Sequence, residues 1–142
     1  MIAVGIDVSK SKSTVAILNA DGSKRITPFD VKHNLPELNA LVKYLNDLNE
    51  NIVILMEHTG HYHYPILKKL NDEGFQVCLV NPYQMKKYGD TELRRTKTDK
   101  KDAVRIATYA LEKSYQLVPY NSMEQKYEVL HLLSSLYGQR MA

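Results

Sequence analysis

The sequence predicts an α/β fold, a mixed five-stranded sheet flanked by helices. Near the start of the chain, short apolar segments separated by turn residues are typical of consecutive strands in an antiparallel meander. Further along, segments of helical period alternate with nearly unbroken apolar runs, which are typical of β-α units with buried parallel strands. The length of 142 residues suffices for one domain with its own core.

The first three predicted strands form the meander. Apolar residues alternate with small ones from Ile2 and predict a strand that ends at Asp7. A second β-rich run covers Ser13 to Leu18, and turn-forming residues follow it. Lys24 to Val31 predicts a third strand, in which Pro28 indicates an edge position.

Two β-α units follow the meander. Leucines at helical spacing predict a helix from Leu35 to Leu48, with Asn34 as its N-cap. The apolar run Asn51 to Met56 is typical of a central strand covered on both faces. Tyr64 to Glu73 predicts a second helix, and Phe75 to Val80 predicts the fifth strand.

The remainder of the chain is predicted to be a basic loop and two helices. Residues 82–97 are polar and are predicted to be irregular. A helix is expected to begin at Thr98 or Asp99 and to end near Lys113. A last helix, from about Met123 to Met141, carries two apolar stripes, which predicts a partner beyond the core of this domain.

Composition excludes several classes of protein. The single Cys78 excludes an internal disulfide framework and a zinc module of paired cysteines. No apolar run approaches the roughly 18 residues of a membrane span, and no basic segment precedes the first apolar stretch as in a signal peptide. We therefore expect a cytoplasmic protein without membrane contact.

Positive charge is concentrated in one part of the chain. The net charge is only +3, but residues 86–105 hold eight cations and four anions. A local cationic stretch suits a polyanion such as nucleic acid. A solvated loop and helix face is the alternative interpretation.

Four carboxylates occupy positions that predict a metal site. Asp7 ends the first strand and Glu57 follows the buried run, so they meet at the carboxyl edge of the sheet if their strands are neighbours. Asp99 and Asp102 are three apart and share a helix face. Converging carboxylates need hard cations to neutralise them, which favours two Mg²⁺ or Mn²⁺ ions and phosphoryl chemistry. The small residues of the first strand leave room for another element to approach.

Each of these residues also has an ordinary structural explanation. Asp7 is explained as a turn residue, Glu57 as a solvated strand end, Asp99 as a helix cap and Asp102 as a surface charge. The three histidines between residues 58 and 63 suggest zinc, but no cysteine or second histidine pair completes such a site.

Four motifs resemble the N-terminal domain of the DEDD transposases of insertion sequences. They are GIDVSK at 5–10, EHTGHY at 57–62, NP at 81–82 and KTDKKDA at 97–103. That family includes bridge-RNA-guided recombinases and Piv/MooV-like invertases, and its first domain is similar to the Holliday-junction resolvase RuvC, with an RNase H-like fold.

The resemblance implies a sheet order of 3-2-1-4-5, which makes the first and fourth strands neighbours. It also implies that Asp7, Glu57, Asp99 and Asp102 are catalytic and hold two Mg²⁺ or Mn²⁺ ions. Nucleic-acid-binding residues are expected among the cations near this site, and they are Lys10, Arg94, Arg95, Lys97, Lys100, Lys101 and Arg105.

The organisation implied by the family is a catalytic domain over residues 1–115 and a helical extension over 116–142. The extension would begin a coiled-coil connection to a C-terminal domain with a serine nucleophile, so the chain is expected to be a fragment. The expected function is divalent-metal-dependent DNA cleavage and strand transfer, with DNA, a guide RNA and further copies of the protein as partners. A non-catalytic nucleic-acid-binding and dimerisation module and an actin-like kinase or ATPase fragment stay open as alternatives.

Overall fold

The computed structural model describes residues 1–57, 63–89, 99–117 and 119–120. The strands are β1 (Ile2–Val8), β2 (Lys12–Leu18), β3 (Lys24–Lys32), β4 (Ile52–Glu57) and β5 (Val77–Val80). The helices are α1 (Leu35–Leu48), α2 (Tyr64–Asp72), α3 (Pro82–Gly89), α4 (Asp99–Glu112) and a 3₁₀ turn at Ser114–Gln116.

The predicted α/β architecture is confirmed. One five-stranded sheet has the order β3-β2-β1-β4-β5. The first three strands pair antiparallel, and β4 pairs parallel with both β1 and β5. This order places the ends of β1 and β4 side by side, which is the condition for the predicted site.

The two faces of the sheet are covered by different helices. Side chains of alternate strand residues, among them Ile6 and Met56, pack with Leu45 and Leu70 of α1 and α2. The strand residues between them, such as Ala3 and Leu55, point to the opposite face of the sheet. They form a second core cluster with α3 and α4. The fold is therefore three layers, in which β1 and β4 are buried between helices.

Local sequence explains where α1 begins and ends. The Asn34 side chain accepts a hydrogen bond from the Glu37 N–H at 3.0 Å, as an N-cap does. At the other end, Asn49 adopts the left-handed conformation with φ of 47°, which closes the helix. The predicted bounds of α1 are confirmed.

The prediction of an irregular segment over residues 82–97 is wrong for its first half, where α3 runs from Pro82 to Gly89. Asn81 caps this helix, since its Oδ1 accepts a hydrogen bond from the Gln84 N–H at 2.8 Å. Pro82 at the first helical position has no N–H to leave unsatisfied. Asn81 and Pro82 mark the start of this helix in the sequence. Among the described side chains of α3, however, only Met85 is fully buried, so the helix has no long apolar stripe that would predict it.

The chain returns to the sheet after α4. The Tyr120 N–H donates to the Val77 carbonyl at 2.6 Å, and Pro119 forms an antiparallel bridge with Cys78. Cys78 is buried, and burial raises the pKa of its thiol. The domain boundary after residue 115 stays a prediction, and the predicted helix over 123–141 lies outside the described residues. Within the described ranges, no helix has both the length and the apolar character needed to span a bilayer.

Candidate active site

Sheet register brings Asp7 and Glu57 together. Ile6 is the register partner of Met56 on the neighbouring parallel strand, and the two carboxylates are the next residues along. Side chains alternate between faces along a strand, so both acids share the face that α4 covers. The sequence prediction that these two residues meet at the carboxyl edge is confirmed by this register.

Helix α4 lies unusually close to β1 at Gly5. A Cβ atom at this glycine would overlap the Ala103 carbonyl oxygen and the Ala107 nitrogen, and would lie 2.8 Å from the Ala107 Cα. These are backbone atoms that cannot turn aside. The predicted close approach at the small residues of β1 is therefore confirmed, and it sets the position of α4 over the sheet.

Three of the four predicted carboxylates line one cavity. Its volume is about 240 Å³, and its walls come from β1, β4, α3 and α4. The lining residues are Asp7, Glu57, Pro82, Met85, Lys86, Asp102, Arg105 and Ile106. Asp99 is the first residue of α4, one turn before Asp102, and its side chain is outside the described part.

Asp102 forms an ion pair inside this cavity. The Arg105 Nη1 donates to the Asp102 Oδ1 at 3.1 Å, and the two side chains are 17% and 30% exposed. The guanidinium offsets one negative charge where several carboxylates converge. The guanidinium also occupies the Asp102 Oδ1 atom, which could otherwise face a cation. A metal ion that bound through this oxygen would therefore compete with Arg105.

The donor atoms of this cavity fit a hard divalent cation in chemical type. Carboxylate oxygens are the ligands that Mg²⁺ and Mn²⁺ prefer, and three such groups line the same small cavity. Within residues 1–57, 63–89, 99–117 and 119–120, however, no three acids, histidines or cysteines are close enough to form a metal-holding group. The described carboxylates share a cavity and are not gathered into a coordination sphere.

A polar row extends from Asp7 across the edge of the sheet. Thr14 is the register partner of both Asp7 and Asp30, and its hydroxyl donates to the Asp30 Oδ1 at 2.9 Å. The Lys12 ammonium donates to the other oxygen at 3.0 Å. The hydrogen bond from Lys12, followed by that from Thr14, lowers the pKa of the Asp30 carboxyl. Asp30 thus stays charged beside the site.

Sequence reasoning missed Thr14 and Asp30 as neighbours of the site. The second strand begins with three polar residues, Lys12, Ser13 and Thr14, and this is visible in the sequence. Which residue they face depends on strand register, which is set by pairing with β1 and β3. Lys86 was also missed, since it was counted among the cations without being assigned to the carboxylate site.

Four of the seven predicted cationic residues lie in the described part of the chain. Lys10 is exposed in the turn after β1, and Lys100 and Lys101 are exposed on the first turn of α4. Arg105 lies in the wall of the cavity. Arg94, Arg95 and Lys97 are outside the described residues.

The histidine segment is described only in part. His63 is buried and stacks on the Tyr64 ring with centroids 4.5 Å apart at the start of α2. His58 and His61 lie outside the described residues, so the zinc alternative is not tested there.

Removing the cap of α3 should loosen one wall of the cavity. We expect Asn81→Ala to cost about 1 kcal/mol, because the Gln84 N–H loses its acceptor. Amide hydrogen exchange should accelerate in α3 and stay unchanged in α1. Asn19→Ala, at an exposed turn, is the matched control. Equal protection of α3 in the two variants would contradict the capping role.

Comparisons with known proteins agree with this arrangement. The sequence profile of a DEDD transposase family of the IS110 type, described as transposase, matches residues 4–142. The transposase of insertion sequence element IS1533 from Leptospira borgpetersenii is 26% identical over 106 residues. That match covers 75% of this chain and 30% of the relative, so the chain spans under a third of the length of that transposase.

Solved structures of RuvC from Thermus thermophilus share the fold. RuvC in complex with a Holliday junction substrate has a TM-score of 0.60 at 14% identity, covering 84% of this chain and 99% of that one. A second RuvC structure has a TM-score of 0.59 at 15% identity, covering 84% and 100%. The RuvC-like, RNase H-like fold expected from the sequence motifs is thereby confirmed. Together with the family match over almost the whole sequence, it establishes that this chain belongs to the DEDD transposases of the IS110 type.

Proposed function

We propose that this chain carries the metal-dependent site at which a transposase cleaves DNA. Asp7, Glu57, Asp99 and Asp102 are the proposed catalytic residues and ligands of two Mg²⁺ or Mn²⁺ ions. One observation carries the proposal: carboxylates from β1, β4 and α4, far apart in the sequence, line one cavity of about 240 Å³. A turn residue, a solvated strand end and a surface charge, which are the ordinary explanations of these three acids, have no reason to line the same cavity.

Each part of the chain has a distinct task in this proposal. Asp7, Glu57, Asp99 and Asp102 would hold two divalent cations, which would supply Lewis-acid polarisation of the phosphodiester and activation of the attacking hydroxyl or water. The strand ends hold Asp7 and Glu57 in fixed positions, since both strands are buried between helices. Lys86 and Arg105 line the same cavity, and in this proposal they contact the phosphate of the substrate.

DNA is the proposed substrate. Lys10 follows the end of β1, and Lys100 and Lys101 lie in the first turn of α4. All three are exposed, and such cations suit a phosphate backbone. The structurally similar RuvC is described in complex with a Holliday junction. Contacts between lysines and phosphates provide affinity and salt dependence, but they do not distinguish one base sequence from another.

Further parts of the proposed function rest on the family resemblance. They are strand transfer together with a serine-bearing domain, recognition of a guide RNA, assembly with further copies and a cytoplasmic location. The described cations suit the phosphates of RNA as well as those of DNA.

Metal binding to the protein tests the proposal without requiring activity. We expect Mn²⁺ to raise the unfolding temperature of the chain, by the equivalent of about 2.7 kcal/mol when its concentration is 100 times the Kd. Asp7→Asn should abolish most of that gain because one ligand is lost. The unfolding temperature of each variant is compared with and without Mn²⁺. The difference therefore does not include the effect of the substitution on stability in the absence of metal.

Asp47→Asn is the matched control, since Asp47 is exposed on α1 and pairs with Lys43. Calorimetric titration should show wild-type affinity for this variant. If Asp7→Asn and Asp102→Asn bind Mn²⁺ as tightly as the control, the carboxylates are not ligands. A non-catalytic nucleic-acid-binding module would then explain the cations better.

A further inference from the structure

A second cavity adjoins the carboxylate site and plays no part in the proposed metal chemistry. It is a groove of about 440 Å³ between the edge strand β3 and helix α4, closed at one end by α3. We call it the β3–α4 groove. Its volume falls within the roughly 300–1,000 Å³ of ordinary ligand sites.

The rim of the β3–α4 groove is cationic. Lys24 from β3 and Lys100, Lys101 and Arg105 from α4 line it, against the single carboxylate of Glu112. Glu112 accepts a hydrogen bond from the Tyr88 hydroxyl at 2.6 Å, at the far end of the described α4. Arg105 also pairs with Asp102 of the neighbouring cavity. The lining itself carries four cations and one carboxylate, and this excess of positive charge suits an anionic ligand.

Apolar groups form much of the wall between these charges. Pro28 of β3, Val104 of α4 and Tyr88 of α3 all line the groove. Tyr88 is held edge-on against Tyr109 with centroids 5.0 Å apart. Apolar and aromatic surfaces beside cations are what an unstacked nucleobase and its phosphate require. A duplex presents phosphates and hides its base faces, so it would leave these apolar surfaces unused.

Arg105 connects the groove to the carboxylate cavity. It lines both, while Lys101 one turn earlier lines only the groove and Asp102 lines only the cavity. Residues three or four apart share one side of a helix, so α4 presents its lysines to one cavity and its carboxylate to the other. A strand whose phosphate lies at Asp102 is therefore within reach of the groove.

We propose that the β3–α4 groove binds the single-stranded segment of DNA next to the cleaved phosphate, with a base against Val104 and Pro28 and phosphates on the rim lysines. The inference rests on the proposed function for its choice of ligand. It assigns a role to Lys24, Thr27 and Pro28 of β3, which lie far in sequence from the basic stretch.

Binding of single-stranded DNA by the whole chain tests this inference. The ligand is a fluorescein-labelled oligothymidine of about 12 nucleotides, within the usual site sizes for single strands. Fluorescence anisotropy without divalent metal measures affinity apart from cleavage. We expect Lys24→Glu to weaken binding roughly five- to tenfold at low salt and to reduce the salt slope by about 0.7 per lost phosphate contact. Thr27→Glu, which adds an anion to the same wall, should also weaken binding.

Lys43→Glu is the matched control because it makes the same change of charge on exposed α1, on the other face of the sheet. Thermal unfolding of all three variants checks that each is folded. Wild-type affinity in Lys24→Glu, an equal loss in Lys43→Glu, or no binding of single strands by the wild type would each overturn the inference. A loss of equal size with a duplex of the same length would also overturn it.

The two proposals fail separately. If Lys24→Glu binds normally while Asp7→Asn loses Mn²⁺ affinity and cleavage, only the groove assignment is wrong. If Asp7→Asn keeps both, the proposed function is wrong, and the anisotropy result then reports a nucleic-acid surface without a catalytic site.

Discussion

Asp7→Asn is expected to reduce Mg²⁺-dependent cleavage of DNA by roughly 100- to 1,000-fold, the loss typical of removing one strong electrostatic contact to a transition state. Asn keeps the size of the side chain and removes the charge that would hold a cation at the end of β1. Asp102→Asn should have a similar effect, since it lines the same cavity from α4. Nicking of labelled branched and duplex DNA provides the measurement.

Two controls make this result specific to the site. Asp47→Asn removes an exposed carboxylate on α1 and should cleave as the wild type does. Asp30→Asn removes the acid that Lys12 and Thr14 hold beside Asp7, and we expect a smaller loss because it lies outside the cavity. Cleavage by Asp7→Asn at the wild-type rate, with the same need for metal, would disprove the assignment of Asp7.

Gly5→Val is expected to have the largest effect on stability, about 3 kcal/mol or more. Its Cβ would overlap backbone atoms of Ala103 and Ala107, and α4 can relieve this only by moving away from β1. Since α4 carries Asp102 and Arg105, that movement would also open the carboxylate cavity. Urea denaturation should show the loss, and Mn²⁺ affinity should fall with it.

Ala40→Val adds the same kind of bulk at an exposed position of α1 and should cost only the few tenths of a kcal/mol of helix propensity. A cost below about 1 kcal/mol for Gly5→Val would mean that α4 adjusts without strain. The close approach would then not be what positions Asp102.

Much of the fold could be predicted because apolar residues recur with different periods in strands and in helices. Alternation in β1 and the unbroken run before Glu57 were enough to place two acids at strand ends. The Asn34 cap predicted the start of α1 for the same local reason. Helix α3 was missed because its few buried positions produce no long stripe, although Asn81 and Pro82 marked its start.

The candidate site could be predicted less completely. Asp7, Glu57 and Asp102 were identified from the sequence and share a cavity, yet Asp102 faces Arg105 in a pair that spacing alone did not single out. Lys24 and Lys86 enter the two cavities from β3 and α3. Their contribution depends on how α4 packs over the sheet, which no local pattern describes.

The five strands, most of the helices and the acids at the strand ends follow from the amino-acid sequence, because hydrophobic periodicity and capping are local properties. Three relations emerge from the folded chain alone: Thr14 lies between Asp7 and Asp30, Gly5 admits α4, and Arg105 lines two cavities. Those relations depend on strand register and on the packing of elements distant in the chain, where each contact is set by all the others.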